Sequence, residues 1–122
     1  MKDKKSILIV DDDIAHRTML SALLGWQYDI VEADDGSTAI EWIQNRTFDL
    51  VLMDVRMENI SGLEALARIK SHNPSIPVIM MTAYPTTEST TWALEKGAYD
   101  FLSKPFDFDH LRLTIEKAIA HA

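Results

Sequence analysis

The chain has 122 residues, no cysteine, 47% hydrophobic and 25% charged residues, which suits one globular domain with a packed core and excludes disulfides, thiolate metal sites and thiol nucleophiles. Its formal net charge of −7 opposes direct binding to nucleic acid, which depends on neutralising phosphates with Lys and Arg. No apolar stretch reaches the roughly 20 residues needed to span a bilayer, and the first five residues lead into a short strand rather than a secretory signal, so a cytoplasmic location and no membrane contact are expected.

The first apolar run, Ile7 to Val10, stops at Asp11, Asp12 and Asp13. The spacing then predicts a helix over 14–24, with Asp13 as its N-cap, Leu20, Leu23 and Leu24 on one stripe and Gly25 marking its end. Residues 28–33 read as a second strand, and residues 37–45 as a helix burying Ala39, Ile40 and Ile43. Leu50 to Met53 forms a third run ending on Asp54, and a loop containing Asn59 to Gly62 leads into a helix over 63–71. Pro74 and Pro77 bracket the entry to the fourth run, 78–81, which ends on Thr82. A fourth helix is predicted over 85–96, with Pro85 in its first turn and Gly97 as a left-handed cap. The fifth run, 99–103, ends at Lys104, and a final helix over 107–121 carries Leu111, Ile115, Ala118 and Ile119 on one face.

Alternating strands and helices predict a parallel sheet covered on both faces. Runs 50–53 and 78–81 are apolar throughout, as central strands are, whereas 99–103 is mixed and reads as an edge. Right-handed crossovers limit the topology to a doubly wound sheet. The polar residues ending four runs then meet at one sheet edge, the place where open α/β folds bind ligands. Two carboxylates about 4 Å apart repel by roughly 4 kcal/mol at an effective dielectric near 20. A cluster built from Asp11, Asp12 and Asp54 therefore calls for a cation, and oxygen donors suit Mg²⁺. Singly, each residue has an ordinary structural use: Asp13 caps a helix, Asp54 starts a turn, Thr82 and Lys104 satisfy the backbone. Together they supply the parts of phosphoryl transfer. Asp54 would attack phosphorus, while Lys104 and Thr82 stabilise the phosphoryl oxygens.

The motifs ILIVDDD, LVLMDVRM followed by SGLEAL, VIMMTA and FLSKPFD occur in order along nearly the whole chain, and with them the sequence resembles the receiver (response-regulator) domain of two-component signalling. Within that family it is most similar to receivers of NtrC-type transcriptional activators of the HydG/ZraR branch. The resemblance implies an α/β, flavodoxin-like (CheY-like) three-layer sandwich with a five-stranded parallel sheet of order 2-1-3-4-5. It implies Mg²⁺ held by Asp12 directly, by Asp11 partly through water, by Asp54 and by the backbone carbonyl of Arg56. Asp54 would be phosphorylated by a sensor histidine kinase, Thr82 and Phe101 would be the switch residues, and Lys104, aimed by a cis bond to the following Pro105, would pair with the phosphoryl group. In such activators an output ATPase and a DNA-binding domain follow. Residues 1–122 are thus expected to be a receiver domain and the N-terminal part of a longer regulator, with a homodimer on phosphorylation built either on the face of the fourth helix, fifth strand and fifth helix or, as in many NtrC-type receivers, on another face.

Phe101 stands where the family often has tyrosine, and Glu58 where it often has proline; the first cannot make a hydroxyl hydrogen bond, and the second leaves the loop less constrained. Arg56 and Tyr84 stand at positions similar to family sites flanking the phosphoryl group, where they would either obstruct attacking water and lengthen the life of an aspartyl phosphate or point into solvent. Thr86, Thr87, Ser89, Thr90 and Thr91 are poor helix formers whose summed penalty of roughly 2 kcal/mol relative to alanine marks the fourth helix as easy to shift. Trp92 falls opposite Ala93 and Leu94, either exposed as an interface anchor or lying flat on its helix. His16, His72, His110 and His121 have no metal-ligand spacing and read as surface residues. Other readings are a stand-alone receiver, a Mg²⁺-dependent small-molecule phosphatase, for which no second acid-base carboxylate or cap insertion is evident, and a flavodoxin-like carrier, which a triply acidic first loop disfavours.

Overall fold

The computed structural model describes residues 4–57, 60–105 and 107–120, so the readings of Glu58, Asn59 and His121 lie outside the described residues. Ten elements alternate as β1 (Lys5–Val10), α1 (Ile14–Leu24), β2 (Tyr28–Ala33), α2 (Gly36–Asn45), β3 (Leu50–Asp54), α3 (Gly62–His72), β4 (Val78–Thr82), α4 (Thr87–Glu95), β5 (Asp100–Ser103) and α5 (Phe108–Ala120). The five strands form one sheet of order β2-β1-β3-β4-β5, and every pairing is parallel.

The alternation of side chains along each strand divides the core into two layers. Leu8, Val10, Val51, Met53, Val78 and Met80 face Ala39, Ile43, Leu66, Ile69 and Ala93 from α2, α3 and α4. Ile7, Ile9, Leu50, Leu52, Ile79 and Met81 face Leu20, Leu24, Leu111, Ile115 and Ala118 from α1 and α5. All residues of β3 and β4 are buried. That two-sided burial is why their runs are continuously apolar instead of alternating.

Helix ends differ from expectation in instructive ways. Asp13 caps α1, accepting from the N–H groups of Ala15 (2.9 Å) and His16 (3.3 Å). Leu23, expected on the buried stripe, is 42% exposed, because α1 meets the sheet through Leu20 and Leu24 alone among these leucines. The fourth helix starts two residues later than expected. Thr86 and Ser89 form a reciprocal capping box, with Ser89 N–H donating to Thr86 Oγ1 at 3.0 Å, so Pro85 lies before the helix instead of in its first turn. Gly97 follows α4 with φ of +105°, a conformation that favours glycine. The strand expected from Tyr99 begins at Asp100.

Gly62 returns the loop after β3 onto the strand end, its N–H donating to the Val55 carbonyl at 2.9 Å. A Cβ there would lie 2.0 Å from the Asp54 carbonyl oxygen and 2.8 Å from Val55 Cα. Both obstacles are backbone, so relief requires displacing the strand end that carries Asp54. Gly62→Ala should lower stability by about 2 kcal/mol or more, read as a fall in urea midpoint; an unchanged midpoint would show that the loop approaches less closely.

Candidate functional site

Strand register brings the chemical residues together. Val10 pairs with both Ala33 and Met53, Asp54 with Met81, and Thr82 with Ser103. The ladder continues past the strand ends: Asp11 N–H donates to Ala33 O at 3.1 Å, Val55 N–H to Met81 O at 2.9 Å, and Lys104 N–H to Thr82 O at 2.7 Å. Backbone hydrogen bonds, rather than flexible loops, therefore place Asp11 and Lys104 beside Asp54. The Lys104–Pro105 peptide bond is cis, as expected.

Lys104 Nζ donates to Asp54 Oδ2 at 2.6 Å and to Asp11 Oδ2 at 3.2 Å. Asp54 Oδ1 accepts the Arg56 N–H at 3.0 Å, and Asp11 Oδ1 accepts the Asp13 N–H at 2.9 Å. Asp11, Asp54 and Thr82 are all buried. Burial opposes ionisation of Asp11, yet donation from His16, the Asp13 N–H and Lys104 outweighs it and holds the carboxyl below its ordinary range. Burial likewise disfavours the Lys104 ammonium, but its bonds to Asp54 and the charge of Asp11 win and raise its pKa. Asp11 thus stays ionised beside the Lys104 ammonium.

The three consecutive acids have three different fates. Asp11 points into the pocket, Asp12 is exposed, and Asp13 caps α1. Thr82 Oγ1 accepts the Tyr84 N–H at 3.1 Å, closing the start of the loop to α4. The Arg56 guanidinium lies 4.5 Å from the centroid of the Tyr84 ring, so these side chains stack on each other at the rim, with Tyr84 65% exposed. Phe101 is half-buried against the layer facing α2, α3 and α4. Trp92 is also half-buried against that layer, lining a groove with Leu63, Ala67 and Ser89 and lying beneath the Lys96 ammonium at 5.4 Å. The more exposed apolar residue on α4 is Leu94.

His16 is a correction to the expectation of a surface histidine. Its Nδ1 lies 2.5 Å from Asp11 Oδ2, and its side chain is only 14% exposed. Side chains in the first turn of a helix lean back toward its N-terminus, so a helix capped at Asp13 aims the residue at 16 over the acids before it. Arg17 was overlooked as well; its Nη1 donates to the Asp11 carbonyl at 2.7 Å.

The donor set fits a hard cation of the Mg²⁺ type in an open manner. Asp11 and Asp54 converge on one ammonium, and such an ion takes one or two carboxylates with water and phosphate oxygens completing its shell. A closed cage is not built: among the described residues, no three His, Asp or Glu side chains are grouped to hold a metal.

The family model for the response regulator receiver domain matches residues 7–116. The chain belongs to this family. Over 120 residues the receiver is 52% identical to the transcriptional regulatory protein ZraR of Escherichia coli K12, covering 98% of this chain and 27% of ZraR. Over 116 residues it is 37% identical to the DNA-binding transcriptional regulator NtrC of the same strain, covering 94% of this chain and 25% of NtrC. The receiver thus spans about a quarter of the length of these relatives, and is of the NtrC type. A CheY-like receiver structure from Methanospirillum hungatei superposes with a TM-score of 0.94 at 28% identity, covering 97% of this chain and 95% of that one. Among the described residues no helix is long and apolar enough to cross a membrane.

Removal of Lys104 leaves Asp11 and Asp54 facing each other without their shared cation. Asp11 contributes stability above the ordinary carboxylate range, near 3.8, that is lost as pH falls through its lower folded value; Lys104 contributes stability below about 10.5 that is lost as pH rises through its higher folded value. Lys104→Met in metal-free protein should therefore cost roughly 1–3 kcal/mol at pH 7, between the values for exposed and buried ion pairs. The deficit should shrink as pH falls below 3.8 through the lower folded value of Asp11. Urea titrations in both pH ranges check this, and equal midpoints at pH 7 would contradict it.

Proposed function

We propose that this receiver is a phosphorylation-dependent switch that takes a phosphoryl group from a phosphohistidine of a sensor kinase onto Asp54. The observation that carries this reading is the Lys104 ammonium 2.6 Å from Asp54 Oδ2, at the open end of a strand whose other residues are wholly buried. A carboxylate oxygen of Asp54 attacks phosphorus as the bond from phosphorus to the donor imidazole nitrogen breaks, the electron pair of that bond leaving with the imidazole. Lys104 passes from the carboxylates to a phosphoryl oxygen, and the Thr82 hydroxyl donates to another. Mg²⁺, held by Asp11, Asp12, Asp54 and the Arg56 carbonyl, supplies positive charge against the phosphoryl oxygens when bound. The domain catalyses only its own phosphorylation and dephosphorylation, and the stacked Arg56 and Tyr84 screen the aspartyl phosphate from water.

Output follows from the position of Thr82. Its hydroxyl accepts the Tyr84 N–H in the resting protein, so turning it toward phosphate releases the loop that ends in the Thr86 cap of α4. Phe101, half-buried on the neighbouring strand, fills the space that Thr82 vacates. The names of ZraR and NtrC support a transcriptional output, delivered through ATPase and DNA-binding domains in a longer cytoplasmic protein. The altered surface of α4 and β5, with Trp92 as an anchor, then serves a homodimer or contacts those domains.

Incubation with Mg²⁺ and acetyl phosphate should add one hydroxylamine-sensitive phosphoryl group by intact mass, absent from Asp54→Asn. Equal labelling of Asp54→Asn, or steady phosphate release with no adduct, would overturn the reading.

A further inference from the structure

The first turn of α1 grips Asp11 twice. His16 Nδ1 lies 2.5 Å from Asp11 Oδ2, and Arg17 Nη1 donates to the Asp11 backbone carbonyl at 2.7 Å. Arg17 is itself fixed, because its Nε donates to Glu32 Oε1 at 3.1 Å while Ser21 Oγ donates to Glu32 Oε2 at 3.0 Å. Consecutive residues of one helix thus hold the side chain and the backbone of one buried acid. An ionised carboxylate only accepts hydrogen bonds, so His16 Nδ1 carries the proton.

Lys104 is shared unequally, at 2.6 Å from Asp54 and 3.2 Å from Asp11. Asp11 Oδ2 therefore has two donors, one of which is the group that must move when Asp54 is phosphorylated. Without His16, Oδ2 would keep only Lys104, and the carboxylate would swing with the departing ammonium or hold it back. We propose that His16 is a positioning residue for the divalent-cation site: it keeps the Asp11 carboxylate in place so that Lys104 is free to transfer to the phosphoryl group. This inference rests on the Mg²⁺ reading above.

The test compares His16→Leu, which removes the donor, with His16→Asn, whose Nδ2 occupies nearly the place of Nδ1. Each variant of this chain is titrated with Mg²⁺ alone and followed by NMR, its urea midpoint is measured, and the Asp11 ¹³Cγ resonance is recorded in metal-free protein. His16→Leu should weaken Mg²⁺ binding roughly tenfold, as loss of a partner that orients a ligand commonly does, and should shift the Asp11 resonance. His16→Asn should restore the affinity to within about threefold of wild type and return the resonance toward its original position. Unchanged or tighter Mg²⁺ binding by His16→Leu, while wild type binds, overturns the inference alone, as does a lowered urea midpoint in both variants with equal affinities. A wild-type chain that binds no Mg²⁺ overturns the cation reading together with it.

Discussion

The receiver depends on one ammonium shared by two acids. Parallel pairing delivers Asp11 and Asp54 to adjacent strand ends, where burial would make their like charges intolerable without a cation between them. Lys104 provides it, bonded to both, and its own strand is registered by the Lys104 N–H to Thr82 O bond. Everything else at the site follows from holding that charge triad open to one side. The sheet brings the acids together, the turn at Gly62 closes against the Asp54 backbone, and the first turn of α1 secures Asp11 from the other side.

On the proposed reading, the same arrangement carries an event at Asp54 to the surface. Thr82 ends β4, Phe101 lies on the adjoining β5 and Lys104 follows its last residue, and Thr82 is tied by its side chain to the loop leading into α4. That helix is held by a threonine and serine capping box and by few intrinsically favourable residues. Its attachment to the sheet is narrow, with Ala93 as its one fully buried residue. A weakly anchored helix beside the Thr82 hydroxyl is well placed to respond, whereas α1 and α5, which each bury two large side chains, Leu20 and Leu24 on the one and Leu111 and Ile115 on the other, serve as the fixed wall.

Much of this was legible in the amino-acid order because it is local. Apolar runs of strand length, each ending on Asp11, Asp54, Thr82 or Lys104, gave the sheet and the chemical edge together, and the ordered motifs gave the family. What was hidden depends on how helices sit against the sheet. Leu23 matches the helical period as well as Leu20 does, but the crossing of α1 over β1 and β2 leaves it exposed. Trp92 was left open between exposure and lying flat on its helix, because its half-burial depends on how α4 packs toward α3 as well as toward the sheet. His16 reads as a surface residue in the sequence because its partner lies across a turn, and only the cap at Asp13 aims the imidazole back over Asp11. The start of α4 was missed for a similar reason: Pro85 suits a first turn, but the reciprocal bonds of Thr86 and Ser89 determine where the turn begins.

The central claim is that Lys104 exchanges its place between two acids for a place on a phosphoryl group at Asp54. A crystal structure of the receiver with Mg²⁺ and beryllofluoride tests it most directly. The account predicts beryllofluoride on an Asp54 oxygen, Lys104 Nζ moved off Asp11 onto one fluoride, and the Thr82 hydroxyl turned from the Tyr84 N–H to another. A fluoride adduct with Lys104 still bridging Asp11 and Asp54, or beryllofluoride bound away from Asp54, would contradict it.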